Sequence, residues 1–361
     1  MKKNNKQRQF TEKLLDWNRN DNRRQMPWKG EKNPYKIWLS EIILQQTRVE
    51  QGMEYYNRFV KAFPTVNDLA KADETKVFKL WEGLGYYSRC KNLIASAKHI
   101  SNHLDGQFPS KYEDILQLKG IGPYTAAAIS SFANNLPHAV LDGNVFRVLS
   151  RYFAIETAID SNEGRKMFSQ LATELLDKKQ PAHYNQALMD FGATICKPKL
   201  PLCSSCVLQK NCMAYQQKLV SILPRKEKKI AIKTRWFYYF IASYEQKIYV
   251  KKRAANDIWE NLYEFILIEN TEPLSLENIP QLQVVKAAFG KTTFEVLQVS
   301  PVHKQALTHQ RIFGQFIKIK LKKPLANVGF EAVDETMLED LPFPKFITHY
   351  LKDKNVSLNL F

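Results

Sequence analysis

Apolar residues over roughly the first two hundred positions recur every three or four residues, the spacing of one helix face. The run 6–18 sets Phe10, Leu14, Leu15 and Trp17 among charged residues. The run 34–49 sets Trp38, Leu39, Ile42, Ile43 and Val49 behind Pro34, a residue suited to a helix start. The same spacing predicts helices over 51–63, 66–72, 75–82, 87–103, 112–118, 123–134, 143–154, 163–178 and 181–195. Past Cys212 the texture changes. A basic, proline-containing link occupies 223–229, and β-rich runs follow at 236–241, 248–250, 262–268 and 313–321. Helical patterns recur at 276–288 and 344–352. The pattern predicts an all-α region over 1–220, a basic linker over 221–232 and an α+β domain over 233–361.

Two glycine turns interrupt the helical part. Leu118-Lys119-Gly120-Ile121-Gly122-Pro123-Tyr124 puts two glycines, each free to take φ > 0, before a proline at the start of an alanine-rich helix. Helix, glycine hairpin, helix leaves backbone N–H groups at a helix N-terminus, where a phosphate can bind; a plain connection between helices fits the same residues. Glu82-Gly83-Leu84-Gly85-Tyr86-Tyr87 repeats the device more weakly.

Composition narrows the class. The chain has 361 residues, 44% of them hydrophobic, and a formal net charge of +17. That suits two or three packed domains and a polyanionic partner, nucleic acid before a membrane surface. The first ten residues lack an apolar segment of signal-peptide type, and no apolar stretch is long enough to span a bilayer. The expected location is therefore cytoplasmic, with no membrane partner.

Four of the five cysteines follow the spacing Cys196-x6-Cys203-x2-Cys206-x5-Cys212. In a reducing compartment such a group implies metal rather than disulfides. Ligand count suits zinc and a [4Fe–4S] cluster alike; only one C-x2-C knuckle is present where a zinc ribbon usually offers two. Lys197 and Lys199 sit in the loop the metal would brace. Cys90 stands alone and reads as a packing residue.

Two carboxylates stand out. Glu41 lies among Leu39, Ile42, Ile43 and Leu44, and helical spacing puts Trp38, Glu41, Gln45 and Arg48 on one face. Held in apolar surroundings it has a raised pKa and serves as a general acid; on a solvated face it is an ordinary surface acid. Asp142, in Leu141-Asp142-Gly143-Asn144-Val145, reads as a helix N-cap kept ionised by backbone N–H groups.

Together these motifs resemble the endonuclease III superfamily of DNA glycosylases, and within it the MutY-type adenine DNA glycosylases. The resemblance is carried by Pro27-Trp28, 38–49, Gly83–Tyr87, Gly120–Ala126, Leu141–Val145, Met189-Asp190-Phe191-Gly192-Ala193 and the cysteines. It covers 10–215 strongly and the remainder weakly. It implies a helix-hairpin-helix lobe over about 28–133, an iron–sulfur lobe from 1–27 and 134–220 with one [4Fe–4S] cluster on Cys196, Cys203, Cys206 and Cys212, and a Nudix-like domain over 233–361. The implied enzyme is a nucleoid-associated monomer acting on double-stranded DNA that carries adenine opposite 8-oxoguanine or guanine.

By the same resemblance Glu41 protonates the adenine, Asp142 stabilises the sugar cation, and Tyr124 and Asn144 position the sugar and carboxylates. Trp28, Lys29 and Gln186 line the base pocket. Gln46, Thr47, Leu84, Gly85 and Tyr86 wedge into the duplex, which the Gly120–Gly122 hairpin grips. Superfamily members that also cut the backbone carry a lysine where this chain has Tyr124, so a monofunctional enzyme is expected. A recognition loop that usually reads Phe-Ser-His is Leu307-Thr308-His309 here, so Thr308 and His309 are the expected 8-oxoguanine readers. The second domain lacks the R-E-x-x-E-E box of Nudix hydrolases. The alternatives are a bifunctional glycosylase/lyase and a non-catalytic iron–sulfur DNA sensor.

Overall fold

The computed structural model describes residues 5–227, 231–325 and 329–352; 228–230, part of the expected linker, lie outside the described residues. In chain order the helices are α1 (Asn5–Asn20), α2 (Pro34–Leu44), α3 (Val49–Ala62), α4 (Val66–Lys71), α5 (Glu74–Trp81), α6 (Ser88–His103), α7 (Tyr112–Leu116), α8 (Pro123–Asn134), α9 (Gly143–Phe153), α10 (Asn162–Leu175), α11 (Pro181–Thr194) and α12 (Met213–Gln216). The chain divides into two compact units, Met1–Lys71 with Asn92–Lys228, and Ala72–Lys91 with Lys229–Phe361.

In the first unit, the apolar stripe of α1 (Phe10, Leu14, Leu15, Trp17) packs with Val148, Leu149 and Tyr152 of α9, Phe168 of α10, and Tyr184, Leu188 and Phe191 of α11. Trp17 meets Phe191 edge-on at 4.9 Å between ring centroids. Helix α2 differs: Tyr35 and the unbroken run Ile37–Ile43 are buried, Glu41 among them. A helix covered on almost every side is a core element, and an acid within it has left water. Asn33 caps α2 by accepting from the N–H groups of Tyr35 and Lys36.

The expected helix 34–49 breaks at Leu44. Gln46 takes φ +56°, and the helix resumes only at Val49. Gln45 and Arg48 therefore do not continue the face of Glu41. Gln45 instead reaches Thr125 of α8, its Nε2 donating to Oγ1 at 3.4 Å. No proline or glycine marks the break, so the apolar period runs through it.

The turn between α7 and α8 corrects a second expectation. Gly120 is left-handed at φ +81°, and a Cβ there would meet the Asn92 side chain at 2.6 Å. Gly122 is not: it is extended at φ −99°, ψ 176°, with nothing within 4 Å of an added Cβ. It caps α8 without a side-chain hydrogen bond and leaves open space before that helix. Ala126, Ala127 and Ala128 are buried, small enough for α8 to lie close to α2.

The second unit is built on β1 (Lys233–Tyr244), with β2 (Lys247–Lys252), β3 (Tyr263–Glu264), β4 (Ile266–Asn270), α13 (Gln283–Phe289), β5 (Phe294–Val299), β6 (His303–Ala306), β7 (Gln310–Leu321), β8 (Glu331–Asp334) and α14 (Lys345–Leu351) following. The sheet order is β3-β2-β1-β7-β5; β4 also pairs β1, β6 pairs β7 and β8 pairs β2. The β1–β7 pair is parallel. The unbroken apolar run of β1 reflects cover on both faces. Tyr238 and Phe240 pack with Ile317, Ile319 and Phe289, while Phe237 and Tyr239 meet Trp259 and Phe316. The expected run 262–268 is two short strands, and 276–288 is a 3₁₀ turn (Ile279–Gln281) followed by α13. Segment 72–91 joins this unit: Glu82 Oε1 accepts from Phe343 N–H at 3.0 Å, and Lys79 Nζ donates to Leu341 O at 3.0 Å.

Candidate active site

A cavity of about 770 Å³ opens in the first unit. Its lining includes Trp28 and Lys29 from the segment before α2, Glu41 of α2, Gln46 and Thr47 of the break after it, Tyr124 of α8, Asp142 and Asn144 at the start of α9, and Gln186 of α11. Four chain segments distant in sequence thus bring the expected catalytic and base-pocket residues to one place.

Glu41 is 7% exposed, and Tyr124 Oη donates to its Oε2 at 2.5 Å. Burial pushes the carboxyl up to about 7; the Tyr124 hydrogen bond opposes the rise and the Asp142 charge adds to it. Burial also drives the Tyr124 phenol well above its ordinary range, so it stays a neutral donor. Asp142 caps α9, Oδ1 accepting from Val145 N–H at 2.7 Å and Oδ2 from Asn144 Nδ2 at 2.6 Å. These bonds favour the ionised form, yet burial outweighs them and the net shift is upward. The cap thus offsets part of the cost of burying Asp142.

Behind Asp142 the hydrogen bonds continue. Arg147 Nη2 donates to Asn144 Oδ1 at 2.8 Å, and its Nε donates to the Cys196 carbonyl at 2.7 Å. Cys196, Cys203, Cys206 and Cys212 line one small cavity together with Arg151. All four thiols are free, and Arg151 Nη1 reaches Cys196 Sγ at 3.5 Å. Among the described residues no three His, Cys, Asp or Glu side chains gather tightly enough to hold a single metal ion.

Trp28 is buried edge-on to Tyr56 at 5.3 Å. Lys29 and Gln186 converge on a residue to which no role was assigned from sequence, the fully covered Asp190, at 3.1 and 3.0 Å. Its place within Met189–Ala193 and Gln186 four residues before it were visible; Lys29, 161 residues away in sequence, was not.

The second unit gathers a different set. Leu84 is buried, and Gly85 and Tyr86 both hold positive φ (+75° and +48°) in the turn before α6. Tyr86 is exposed, its ring beneath the Arg89 guanidinium at 5.5 Å. Its hydroxyl is 2.7 Å from Thr308 Oγ1. Thr308 and His309 are exposed in the turn between β6 and β7, and Leu307 beside them is half-buried.

An all-helical core with a glycine hairpin, and a cavity lined by a buried carboxyl with a raised pKa and by a second carboxyl at a helix start, fits a helix-hairpin-helix base-excision glycosylase. Residues 39–176 match the HhH-GPD superfamily of base excision DNA repair proteins. A solved thermostable thymine-DNA glycosylase is 30% identical with a TM-score of 0.55, covering 59% of this chain and 97% of that one. An adenine DNA glycosylase of Buchnera aphidicola subsp. Baizongia pistaciae is 38% identical over 261 residues, 71% of this chain and 73% of the relative. Another, of Buchnera aphidicola subsp. Acyrthosiphon pisum, is 32% identical over 325 residues, 88% of this chain and 92% of the relative. The chain belongs to the MutY-type adenine DNA glycosylases.

Proposed function

We propose that the chain is a monofunctional DNA glycosylase of base excision repair, which removes adenine paired with 8-oxoguanine, or with guanine, by hydrolysing its N-glycosidic bond. The observation that carries this reading is Glu41, enclosed in the cavity with Tyr124 donating to its carboxyl and its pKa pushed by burial up to about 7. Such an acid can protonate a ring nitrogen of an extruded base and weaken the bond to the sugar. Asp142 stabilises the oxocarbenium-like sugar, as paired carboxylates do in glycoside hydrolysis. Glu41, now ionised, activates the attacking water. Tyr124 and Asn144 hold the two carboxylates in place, and Trp28, Lys29 and Gln186 form the base pocket.

Tyr124 also supports the absence of strand cleavage, since a phenol offers no amine for a Schiff base. The open N-terminus of α8 behind Gly120 and Gly122 suits a phosphate. Gln46, Thr47, Leu84, Gly85 and Tyr86 are the groups we assign to the distorted duplex, with Tyr86 stacking on a base. Thr308 and His309 of the Nudix-like second domain read 8-oxoguanine. The partner is duplex DNA, bound by a monomer.

Cys196, Cys203, Cys206 and Cys212, which line one cavity, would hold a [4Fe–4S] cluster, whose usual ligands are four cysteine thiolates. Such a cluster would brace the loop, and Lys197 and Lys199 in that loop would meet phosphate.

Product analysis on a duplex with adenine opposite 8-oxoguanine tests the reading. Free adenine should appear with the strand intact until alkali is added, and borohydride should trap no efficient covalent adduct. Strand cleavage without alkali, with trapping, would establish the bifunctional alternative; no base release at all would favour the sensor. Iron content and broad visible absorbance test the cluster, and stoichiometric zinc in a colourless protein excludes it.

A further inference from the structure

Outside the Glu41–Asp142 pair, Asp190 of α11 is the most enclosed carboxylate of the first unit, its side chain fully covered. Oδ1 accepts from Arg24 Nη1 at 2.9 Å and Gln186 Nε2 at 3.0 Å. Oδ2 accepts from Asn22 Nδ2 at 2.8 Å and Lys29 Nζ at 3.1 Å. Lys29 Nζ also donates to the Arg24 carbonyl at 2.9 Å. Arg24, Lys29 and Gln186 line the cavity, whereas Asp190 stands behind them.

The chemistry of an amide makes this arrangement directional. A carboxylate paired with two cations only accepts, so it takes the NH₂ end of Gln186 and leaves the carbonyl end free. Oε1 is then the acceptor Gln186 has free for the cavity, beside the second hydrogen of the same NH₂ group. An acceptor at that wall complements a base with an exocyclic amine and opposes one with a carbonyl at the same place. The two cations are meanwhile held to Asp190, so that neither needs the base for its charge.

We propose that Asp190 is the positioning residue for base selection: it locks the Gln186 amide so that the pocket presents an acceptor to an amino-bearing purine. This rests on the adenine-releasing reading above and adds the origin of its preference. Its central claim is that Asp190 acts through Gln186.

The test measures single-turnover release of adenine, unsubstituted purine and hypoxanthine opposite 8-oxoguanine. The full chain, Asp190→Asn, Gln186→Leu and the double variant are compared. Asp190→Asn keeps the shape but can donate, so the amide loses its fixed sense. The adenine-over-purine preference should fall about tenfold, the size of one hydrogen bond, and Asp190→Asn should add nothing to Gln186→Leu. An equal slowing on all three bases, or multiplying effects in the double variant, would overturn the proposal. Should Asp190→Asn fail to fold, Gln186→Leu decides alone: an unchanged adenine-over-purine preference also overturns it. A wild-type chain that releases no base defeats the proposed activity itself, a result distinct from any selective change.

Discussion

The Arg235 network of the second unit and Glu41 of the first treat their carboxylates in opposite ways. In the second unit Arg235 is 7% exposed and makes paired bonds to Asp257, at 2.7 Å each, and to Glu269, at 2.6 Å each. Arg253 joins Asp257 to Glu264. The pairing holds Asp257 down at about 2, with Arg235 as the main cause, and raises Arg235 itself. Glu264, the most covered of the three acids, is pushed up by burial against the pull of Arg253. In the first unit Glu41 has no cation partner among the described residues, and its hydrogen bond comes from a neutral phenol. Burial therefore wins there. Asp257, partly exposed and bonded to a guanidinium, is held ionised; Glu41, enclosed with only a phenol on its carboxyl, is pushed toward the protonated form that a substrate can draw on.

The largest effect expected from that contrast is at Glu41. Glu41→Gln should reduce adenine release by about a thousandfold or more, the scale of a lost general acid, while duplex binding in a gel or anisotropy assay changes little. The same variant should be the more stable one. The folded pKa of Glu41 is about 7 against an ordinary 4.5, so the folded chain binds this proton more tightly. Its contribution is fully present below about pH 4.5 and declines as pH rises through 7. Glutamine removes the cost of burying a charge, so Glu41→Gln should gain up to about 3 kcal/mol at pH 8 and almost nothing at pH 4. Thermal melts across that range measure it, and a variant destabilised at pH 8 would place Glu41 with the structural charges.

Next in size is the second unit's network. Arg235→Met removes the buried cation from two partly exposed carboxylates and should cost about 1–3 kcal/mol in denaturant unfolding. The pair Arg225–Glu156 is half-exposed on both sides, and Arg225→Ala should cost under about 1 kcal/mol. Similar losses from the two variants would mean that burial does not separate them.

Legibility followed the same division. Glu41, Asp142, Tyr124 and the four cysteines could be read from local sequence because each sits in a short motif whose neighbours set its environment. Asp190 could not, because its partners Asn22, Arg24 and Lys29 come from a distant loop. The helical regions announced themselves through long amphipathic periods, but the break at Gln45–Arg48 carries no proline or glycine. Strands β6 and β8 are short and largely exposed, so His303–Ala306 and Glu331–Asp334 lack the apolar signal that marks β1. Gly122 misled for another reason: it is free of steric need, and its smallness matters only to whatever approaches α8.

A smaller effect is expected at Thr308, whose hydroxyl is taken up by Tyr86. Thr308→Ala should narrow the preference for 8-oxoguanine over guanine opposite adenine by roughly tenfold or less, the scale of one hydrogen bond. Competition between the two duplexes reads this directly, and an unchanged ratio removes Thr308 as the reader. No comparable loss is expected with an abasic site opposite adenine, where no base is present to be read.

The smallest predicted change is the sharpest probe of the acid. If Glu41 must be protonated for base release, the rate should fall as pH rises, with a midpoint near its pKa of about 7. The Tyr124 hydroxyl donates to the carboxylate and holds that pKa below what burial alone would set. Tyr124→Phe keeps the ring and removes the donor, so the descending limb should move to higher pH, by under about one unit for a single hydrogen bond. The rate at low pH, where Glu41 is protonated with or without the phenol, should change less than the rate at pH 8. A limb that moves to lower pH would mean that Tyr124 stabilises the neutral acid. A limb that stays in place while the whole profile drops would assign Tyr124 to the substrate rather than to Glu41.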